Sequence, residues 1–171
     1  MNPRVTIATD EETIVVEVDD ELSPVTSSNF LSFIDEGAYD GGRFYRTVTP
    51  DNQPNDSIRI AVIQGGVAEG FSIEGRSSLA LERTSVTGLR HRDGTISMAR
   101  SEPDSAMTEF FICVGDQPEL DFGGQRNPDG NGFAAFGQVV AGMDVVRSIN
   151  ESPCVGQQLT PTVPIVSIRR Q

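Results

Sequence analysis

A mainly β fold, with a closed barrel plugged by helices, is what the 171-residue sequence predicts. Two observations support this fold class. The apolar residues are concentrated in many short runs rather than in long ones, and two helical segments stand apart from these runs. The strands therefore do not alternate with helices as they would in a parallel βαβ sheet. A chain of this length suits one core, so we expect a single domain over residues 1–171.

The predicted strands are short segments rich in β-branched and aromatic residues, with turn chemistry at their ends. The first two, Val5–Thr9 and Thr13–Val18, flank a short polar segment and predict a hairpin at the start of the sheet. Residues 49–57 consist of turn-forming residues and predict a surface loop. The remaining predicted strands are Phe44–Val48, Ile58–Gln64, a short one at Leu79–Leu81, Ile96–Ala99, Phe110–Val114, Phe133–Val140 and Val163–Ile168.

Two helices are predicted, one early and one late in the chain. Ser23 and Pro24 suit the N-cap and the first helical position, and apolar residues recur at helical spacing up to Ile34. Gly37 then stands where a glycine ends many helices. The second helix is Met143–Asn150, which places its aliphatic residues on one face.

The charge of the chain excludes several partners. The formal net charge is −12, and all thirteen basic residues are arginines scattered along the sequence. Nucleic acids and anionic membrane surfaces draw on clustered basic residues, so we expect neither as a partner. No apolar run approaches the length of a membrane span, and the N-terminal residues lack the pattern of a secretory signal. We expect a cytoplasmic protein, or a periplasmic one if a signal peptide has been removed.

The residues that usually carry metal or nucleophilic chemistry give little signal. Cys113 and Cys154 match no zinc or redox spacing, and Cys113 lies in an apolar strand, which predicts a buried, inert thiol. His91, the only histidine, is interpreted as structural or surface-exposed, so a serine hydrolase has little support. Within the glycine-rich loop Asp121–Gly132, residues 127–131 have oxygen-rich side chains that could bind calcium, but they lack the spacing of an EF-hand. We therefore interpret them as part of a solvated loop. We expect no metal.

The most informative stretch is 94–116, in which two apolar runs flank a polar loop. Phe110 and Phe111 are adjacent on the second run and should face opposite sides of a strand, one in the core and the other in a pocket. Arg46 and Gln64 lie on strands that would face the same groove. Together these residues suggest a site with a cation, an amide and an aromatic floor.

These motifs, taken in order, resemble the cyclophilin family of peptidyl-prolyl isomerases. The likeness runs through nearly the whole chain and includes both predicted helices. It implies an eight-stranded antiparallel barrel capped by a helix at each end. The segments that carry it are Phe44-Tyr45-Arg46, Ile63-Gln64-Gly65-Gly66, Ile96-Ser97-Met98-Ala99, Glu109-Phe110-Phe111-Ile112, Phe136-Gly137 and Gly142-Met143-Asp144-Val145-Val146.

The resemblance also implies roles for individual residues. Arg46 matches the family's catalytic arginine, and Gln64 matches the glutamine that helps to bind the peptide backbone. Phe111 would form the floor of a proline pocket. Leu120 and Val62 would form its walls, and Ala99, Arg100 and Ser101 fall where the family presents backbone to an extended peptide.

Four positions depart from the family pattern. Ala61 stands in place of a usual phenylalanine, Glu109 in place of a glutamine, Glu119 in place of a tryptophan and Phe133 in place of a histidine. We count Ala61, Glu109 and Phe133 among the substrate-binding positions. A carboxylate at Glu109 would pair with Arg46, which would lower activity or favour peptides with a positive charge near the proline. The immunosuppressant cyclosporin, which contacts the tryptophan in many members, is expected to bind weakly.

Our first hypothesis is therefore an enzyme that rotates X–Pro peptide bonds and assists protein folding. Its partners would be proline-containing peptides or unfolded chains, and we expect a monomer. The chemistry requires no nucleophile, metal or cofactor, because the catalyst only stabilises a twisted peptide bond. A second hypothesis is a proline-peptide binding or chaperone module whose isomerase activity is weak or lost. A third is an unrelated barrel that binds a small ligand.

Overall fold

The computed structural model describes residues 1–10 and 12–171 and contains a closed antiparallel barrel. Its strands are β1 (Arg4–Thr9), β2 (Thr13–Val18), β3 (Gly42–Val48), β4 (Val62–Gly66), β5 (Thr95–Met98), β6 (Phe110–Cys113), β7 (Ala135–Ala141), β8 (Cys154–Val155) and β9 (Gln158–Arg170). The helices are α1 (Pro24–Asp35), the single turn α2 (Thr84–Thr87) and α3 (Met143–Asn150), with a 3₁₀ turn at Pro118–Leu120.

Eight strands form the barrel in the order β1-β2-β7-β5-β6-β4-β3-β9, and β1 pairs with β9 to close it. The ninth, β8, is a two-residue strand that pairs only with β9 among the described residues. Every strand pair is antiparallel. The predicted eight-stranded barrel with α1 and α3 as its two capping helices is confirmed.

The alternation of side chains along the strands fills the barrel. On β1 and β2 every second residue is buried, which is the pattern expected when one face of a strand points into a core. The interior is aromatic at its centre. The ring of Phe110 meets the rings of Phe30, Tyr39 and Phe44 edge-on at 5.7, 5.6 and 5.8 Å between centroids. This geometry is the one that aromatic pairs prefer.

A second, smaller apolar cluster lies outside this core, and it positions the candidate site. It consists of Val48, Ile60, Val62, Phe111, Cys113 and Leu120. Phe110 and Phe111 therefore belong to different clusters, as their adjacency on β6 predicts. Cys113 is fully buried, and burial raises the pKa of its thiol far above the ordinary value. Cys154 is exposed.

The predicted strand Ile58–Gln64 is shorter in the structure, because β4 begins only at Val62. The side chain of Gln53 takes the place of a strand partner for Ile60. Its Nε2 donates to the carbonyl oxygen of Ile60 at 2.7 Å, and its Oε1 accepts the Ile60 N–H at 3.1 Å. Gln53 is 1% exposed, so a buried amide side chain satisfies the backbone that a neighbouring strand would otherwise satisfy.

Two further predicted strands differ in length. The segment Leu79–Leu81 contributes a single bridge, from Leu79 to Ala106. In contrast, β9 extends over thirteen residues, although only Val163–Ile168 was expected. Pro161 explains why the predicted strand began too late, since proline lacks the N–H of a ladder and argues against a strand in a sequence. Here β9 keeps its pairings on both sides, with β1 and with β3.

Ser23 is the N-cap residue of α1 and Pro24 begins the helix, as predicted, but the Ser23 side chain makes no capping hydrogen bond. The cap is the carboxylate of Glu82. Its Oε1 accepts the N–H of Thr26 at 2.6 Å, and the hydroxyls of Thr26 and Ser23 also donate to it. A carboxylate suits a helix N-terminus, where unpaired N–H groups and the helix dipole favour negative charge. Gly37 follows the helix with a φ of 73°, as predicted.

No helix in the described part of the chain is long and apolar enough to cross a bilayer. The described residues also contain no group of three or more histidine, cysteine, aspartate or glutamate side chains placed to hold a metal ion.

Replacing the capping carboxylate should destabilise the barrel. In Glu82→Ala, the hydroxyls of Ser23 and Thr26, both on residues with 0% exposure, lose their shared acceptor. We expect the free energy of unfolding to fall by about 2 kcal/mol, a typical cost for a lost cap and unpaired buried donors. Urea titration would measure it. Glu69→Ala is the matched control, because Glu69 is exposed. Equal midpoints for the two variants would contradict the capping role.

Candidate active site

Three neighbouring strands present a cation, an amide and an aromatic ring side by side. The register pairs Arg46 on β3 with Gln64 on β4, and Gln64 with Phe111 on β6. Side chains of directly paired residues lie on the same face of a sheet. Arg46 Nη1 donates to Gln64 Oε1 at 2.9 Å. These three residues, which are far apart in the sequence, therefore form one continuous row on the outer face of the barrel wall.

This row opens into a cleft of about 250 Å³. The volume is slightly below the range of roughly 300–1,000 Å³ typical of small-molecule pockets, so the cleft suits a few side-chain-sized groups better than a large ligand. Its lining combines apolar and arginine side chains. The lining residues are Arg46, Ile60, Val62, Gln64, Ala99, Arg100, Phe111, Leu120, Arg126, Asn127, Pro128 and Phe133.

The floor of the cleft is aromatic and rigidly supported. Phe111 is 5% exposed, and Phe133 meets it edge-on at 5.5 Å between ring centroids. Behind the floor, the ring of His91 is nearly parallel to that of Phe111, with centroids 6.0 Å apart. His91 Nδ1 lies 2.8 Å from Asp121 Oδ1, and its Nε2 lies 2.9 Å from Ser97 Oγ. Both ring nitrogens are therefore engaged.

The grouping of Ser97, His91 and Asp121 has the composition of a hydrolase triad, but these residues are only 0, 1 and 7% exposed. A substrate carbonyl has no access to the serine, so the arrangement braces the floor, in agreement with the structural interpretation of His91. Burial raises the pKa of Asp121, but hydrogen bonds from the ring and backbone of His91 outweigh it and hold that pKa below its usual value.

The guanidinium of Arg46 is held by amide oxygens. Its Nε and Nη2 both donate to Gln157 Oε1, at 3.0 and 2.7 Å, while Nη1 donates to Gln64. Three of its five N–H groups are thus used, and two have no partner among the described residues. Burial lowers the pKa of Arg46, and the positive charge of Arg126 lowers it further. An arginine nevertheless stays charged in this range.

The expected ion pair between Glu109 and Arg46 does not form. The carboxylate of Glu109 instead packs over Gly66, where an added side chain would overlap it. Its Oε1 accepts a long hydrogen bond from Tyr45 Oη at 3.4 Å, and its buried Oε2 has no hydrogen-bond partner among the described residues. Burial raises the pKa of Glu109 above its ordinary value. An acceptor-only carboxylate thus ends a chain of hydrogen bonds instead of competing for the arginine.

The structure brings eight of the predicted positions together and leaves three outside the cleft. The lining contains Arg46, Val62, Gln64, Ala99, Arg100, Phe111, Leu120 and Phe133. Outside it, the carbonyl of Ala61 accepts the N–H of Val114, and Ser101 is exposed and bound to Ser105. Glu109 is the third. Glu119, a further departure from the family pattern, uses its Oε2 to accept the N–H of Gln125 at 2.7 Å.

The sequence did not indicate Ile60, Arg126, Asn127 and Pro128, which come from two loops. Ile60 lines the cleft, whereas its neighbour Ala61, which was expected there, does not. Gln157 and Tyr45 support the site from behind, and Gln157 is 111 residues from Arg46 in sequence. No local pattern signals such a contact. Only the general rule that buried arginines need acceptors could have prompted a search for one.

Comparison with known proteins agrees with this geometry. The family model described as cyclophilin type peptidyl-prolyl cis-trans isomerase/CLD matches residues 4–170. The chain is 35% identical to the peptidyl-prolyl cis-trans isomerase cyp18 of Streptomyces antibioticus over 90% of this chain and 88% of that protein. It is 37% identical to peptidyl-prolyl cis-trans isomerase A of Dickeya dadantii over 95% and 80% of the two chains.

A solved structure shows the same fold at lower identity. It is a cyclophilin type peptidyl-prolyl cis-trans isomerase of Cryptosporidium parvum, determined in the presence of the dipeptide Ala-Pro. It superposes with a TM-score of 0.78 at 22% identity, over 98% of each chain. Since the family model covers nearly all the residues and two relatives exceed 30% identity over most of their length, the resemblance seen in the sequence is confirmed. The chain belongs to the cyclophilin-type peptidyl-prolyl cis-trans isomerase family.

Proposed function

We propose that this protein catalyses cis–trans rotation about X–Pro bonds, with Arg46 as its catalytic residue. One observation carries the proposal: a half-buried, charged guanidinium, with two N–H groups that have no partner among the described residues, stands beside the aromatic floor of the cleft. The substrates would be proline-containing peptides and unfolded or flexible chains, and the reaction would assist protein folding.

The chemistry follows from the electronic structure of the X–Pro bond. Resonance gives the C–N bond partial double-bond character and a rotation barrier of about 18–20 kcal/mol. At the top of the barrier the prolyl nitrogen is no longer conjugated and regains a lone pair. A donor aimed at this nitrogen binds the twisted bond more tightly than either planar form, which lowers the barrier. The free N–H groups of Arg46 would provide that donor.

The ring of the proline has to stay in place while the acyl side turns. Phe111, Leu120 and Val62, all 5% exposed or less, would grip it without competing hydrogen bonds. Gln64 would hold the peptide backbone. One N–H of its amide donates to Tyr45 Oη at 2.9 Å, which leaves the second available to a substrate carbonyl.

Glu109 would act at a distance through a directed chain of hydrogen bonds. Its carboxylate accepts from Tyr45, the Tyr45 oxygen accepts from Gln64, and the Gln64 oxygen accepts from Arg46. Because a charged carboxylate can only accept, the hydroxyl of Tyr45 has to donate to it, and the Tyr45 oxygen is then free to accept from the amide of Gln64. In this role Glu109 keeps the amide of Gln64 turned with its oxygen toward Arg46.

The alternative of a binding module without catalysis gains no support from Ala61, Glu109 or Glu119. Ala61 and Glu109 lie outside the cleft, and the carboxylate of Glu119 is engaged with the backbone of Gln125. Arg46, Gln64 and Phe111, the residues that the chemistry requires, line one cleft. The isomerase is therefore the preferred function.

Arg46→Ala should lose about a hundredfold or more in kcat/KM, because an aimed donor in a water-poor site typically contributes a few kcal/mol to the transition state. Arg46→Lys should lose somewhat less, since it keeps the charge but not the planar fork. NMR exchange on a short Ala-Pro peptide measures the rate. Arg4→Ala is the control, as the one ion pair of Arg4 within the described residues is with the partly exposed Glu17. Native-like exchange in a folded Arg46→Ala variant would overturn the assignment.

Glu109→Gln should stabilise the fold at neutral pH and less so in acid. Burial raises the pKa of Glu109, so as pH rises the unfolded chain loses this proton before the folded protein does. Between the two pKa values the free energy of unfolding falls with increasing pH, and glutamine avoids this cost. Urea unfolding at about pH 4, close to the ordinary pKa of a glutamate, and at about pH 8 measures the gap between variant and native protein. A gap that does not grow with pH would contradict the buried-carboxylate account.

Cyclosporin should bind weakly, and Glu119→Trp should strengthen binding. The position of Glu119 is the one where many family members have a tryptophan that contacts the drug, and a carboxylate there offers no apolar wall. Calorimetric titration of both proteins measures the difference. Tight binding by the native protein would show that the drug does not require an apolar side chain at this position.

A further inference from the structure

Two loops meet across the mouth of the cleft and are tied by Arg126. The first loop, residues 49–61, precedes β4, and the second, residues 121–132, precedes β7. Arg126 Nη1 donates to Gln53 Oε1 at 2.6 Å and to the carbonyl oxygen of Ile58 at 2.7 Å. Both of these acceptors belong to the first loop. The guanidinium of Arg126 thus lies at the edge of the cleft, held by another part of the chain.

The cleft is positively charged although the protein carries a formal net charge of −12. Its lining contains three arginines and no carboxylate. Arg100 is compensated, because both oxygens of Asp129 accept from its guanidinium at 2.9 and 3.0 Å. Arg46 is bound by amide oxygens, which carry no formal charge. A cleft lined by one sign of charge concentrates ligands of the opposite sign.

The third arginine is Arg126, whose only carboxylate neighbour among the described residues is weakly placed. Asp56 Oδ2 lies 3.4 Å from Nη1, and the Asp56 side chain is 46% exposed. The Arg126 side chain is only 12% exposed, but the Asp56 carboxylate is open to water, so this long contact contributes little and exchanges with another anion. Asp56 therefore shields Arg126 without consuming its hydrogen-bonding capacity.

One edge of the Arg126 guanidinium is open to a ligand. All its hydrogen bonds within the described residues use Nη1, so Nε and Nη2 have no acceptor there. These atoms are not sealed from water, since the only buried side-chain polar atom without a partner in the described structure is Glu109 Oε2. The Nε–Nη2 edge is the planar fork that binds both oxygens of a carboxylate. Because Gln53 and Ile58 already hold the guanidinium, little order has to be gained on binding.

We propose that Arg126 makes this site selective for X–Pro bonds with an acidic residue within two positions of the proline. The selectivity rests on the proposed function, because it describes which substrates the same cleft turns over. It is opposite in sign to the preference expected from Glu109. That carboxylate packs over Gly66, outside the cleft, and does not face a peptide bound there.

The test compares peptides that differ only in charge. Each carries Gln, Glu or Lys on one side of an Ala-Pro unit, in separate series for the two sides, and NMR exchange gives kcat/KM. In at least one series we expect Glu to exceed Gln by about fivefold, the effect of a partly exposed charged pair, and Lys to fall below Gln. The Glu/Gln ratio should shrink as salt rises from about 0.05 M to about 0.5 M. A ratio of one in both series would overturn the proposal.

Three variants assign the effect to Arg126. Arg126→Gln should bring the Glu/Gln ratio close to one, whereas Asp56→Asn should raise it by removing the competing carboxylate. Arg59→Gln is the matched control, because it removes the same charge from an exposed arginine of the first loop that does not line the cleft. If Arg126→Gln kept the Glu/Gln ratio of the native protein, or if Arg59→Gln lowered that ratio equally, the selectivity would not come from Arg126.

The failure of catalysis and the failure of selectivity are distinguishable. If no peptide is accelerated, the proposed function fails, and the same peptides are then titrated to obtain dissociation constants. Tighter binding of Glu than of Gln peptides, lost in Arg126→Gln, would support the selectivity as a binding property. Equal dissociation constants would overturn it independently of any rate.

Discussion

The alternation of side chains along β6 is the constraint on which the core and the site both depend. Because successive residues of a strand face opposite sides, burying Phe110 among the interior rings forces Phe111 to the outer wall. A shift of register by one residue would exchange them and cost the aromatic packing of the whole interior. The floor of the cleft is therefore fixed by the core. Gln64 pairs with Phe111, and Arg46 pairs with Gln64. The position of Phe111 therefore also fixes the positions of these two residues on β4 and β3.

The acceptors around Arg46 determine whether its positive charge remains available to a substrate. Gln64 and Gln157 orient the guanidinium through amide oxygens, which satisfy its N–H groups without neutralising it. A carboxylate in the same place would bind more strongly and would hold the charge in the ground state. The carboxylate that does occur nearby, Glu109, is separated from Arg46 by Tyr45 and Gln64. Orientation and charge are thus provided by different residues.

The sequence predicted those features whose cause is local. Strand alternation and helical spacing identified most strands and both capping helices, and the order of motifs placed the residues that form the row across β3, β4 and β6. What it missed depends on contacts between distant segments. Glu82 caps a helix that begins 58 residues earlier, and Gln53 replaces a strand partner through its side chain. Gln157 reaches Arg46, and Arg126 reaches the cleft, from loops, and no periodicity describes a loop.

The closure of the barrel also determines how the fold bears a pulling force. The antiparallel register places Val5 opposite Arg170 and Ile7 opposite Ile168, so the beginning of β1 and the end of β9 lie at the same end of one ladder. Force applied at Arg4 and Arg170 in opposite directions would load the hydrogen bonds of this ladder one after another. A shear geometry, in contrast, would load them all at once. The pair of strands that seals the barrel is for this reason the seam at which tension would open it.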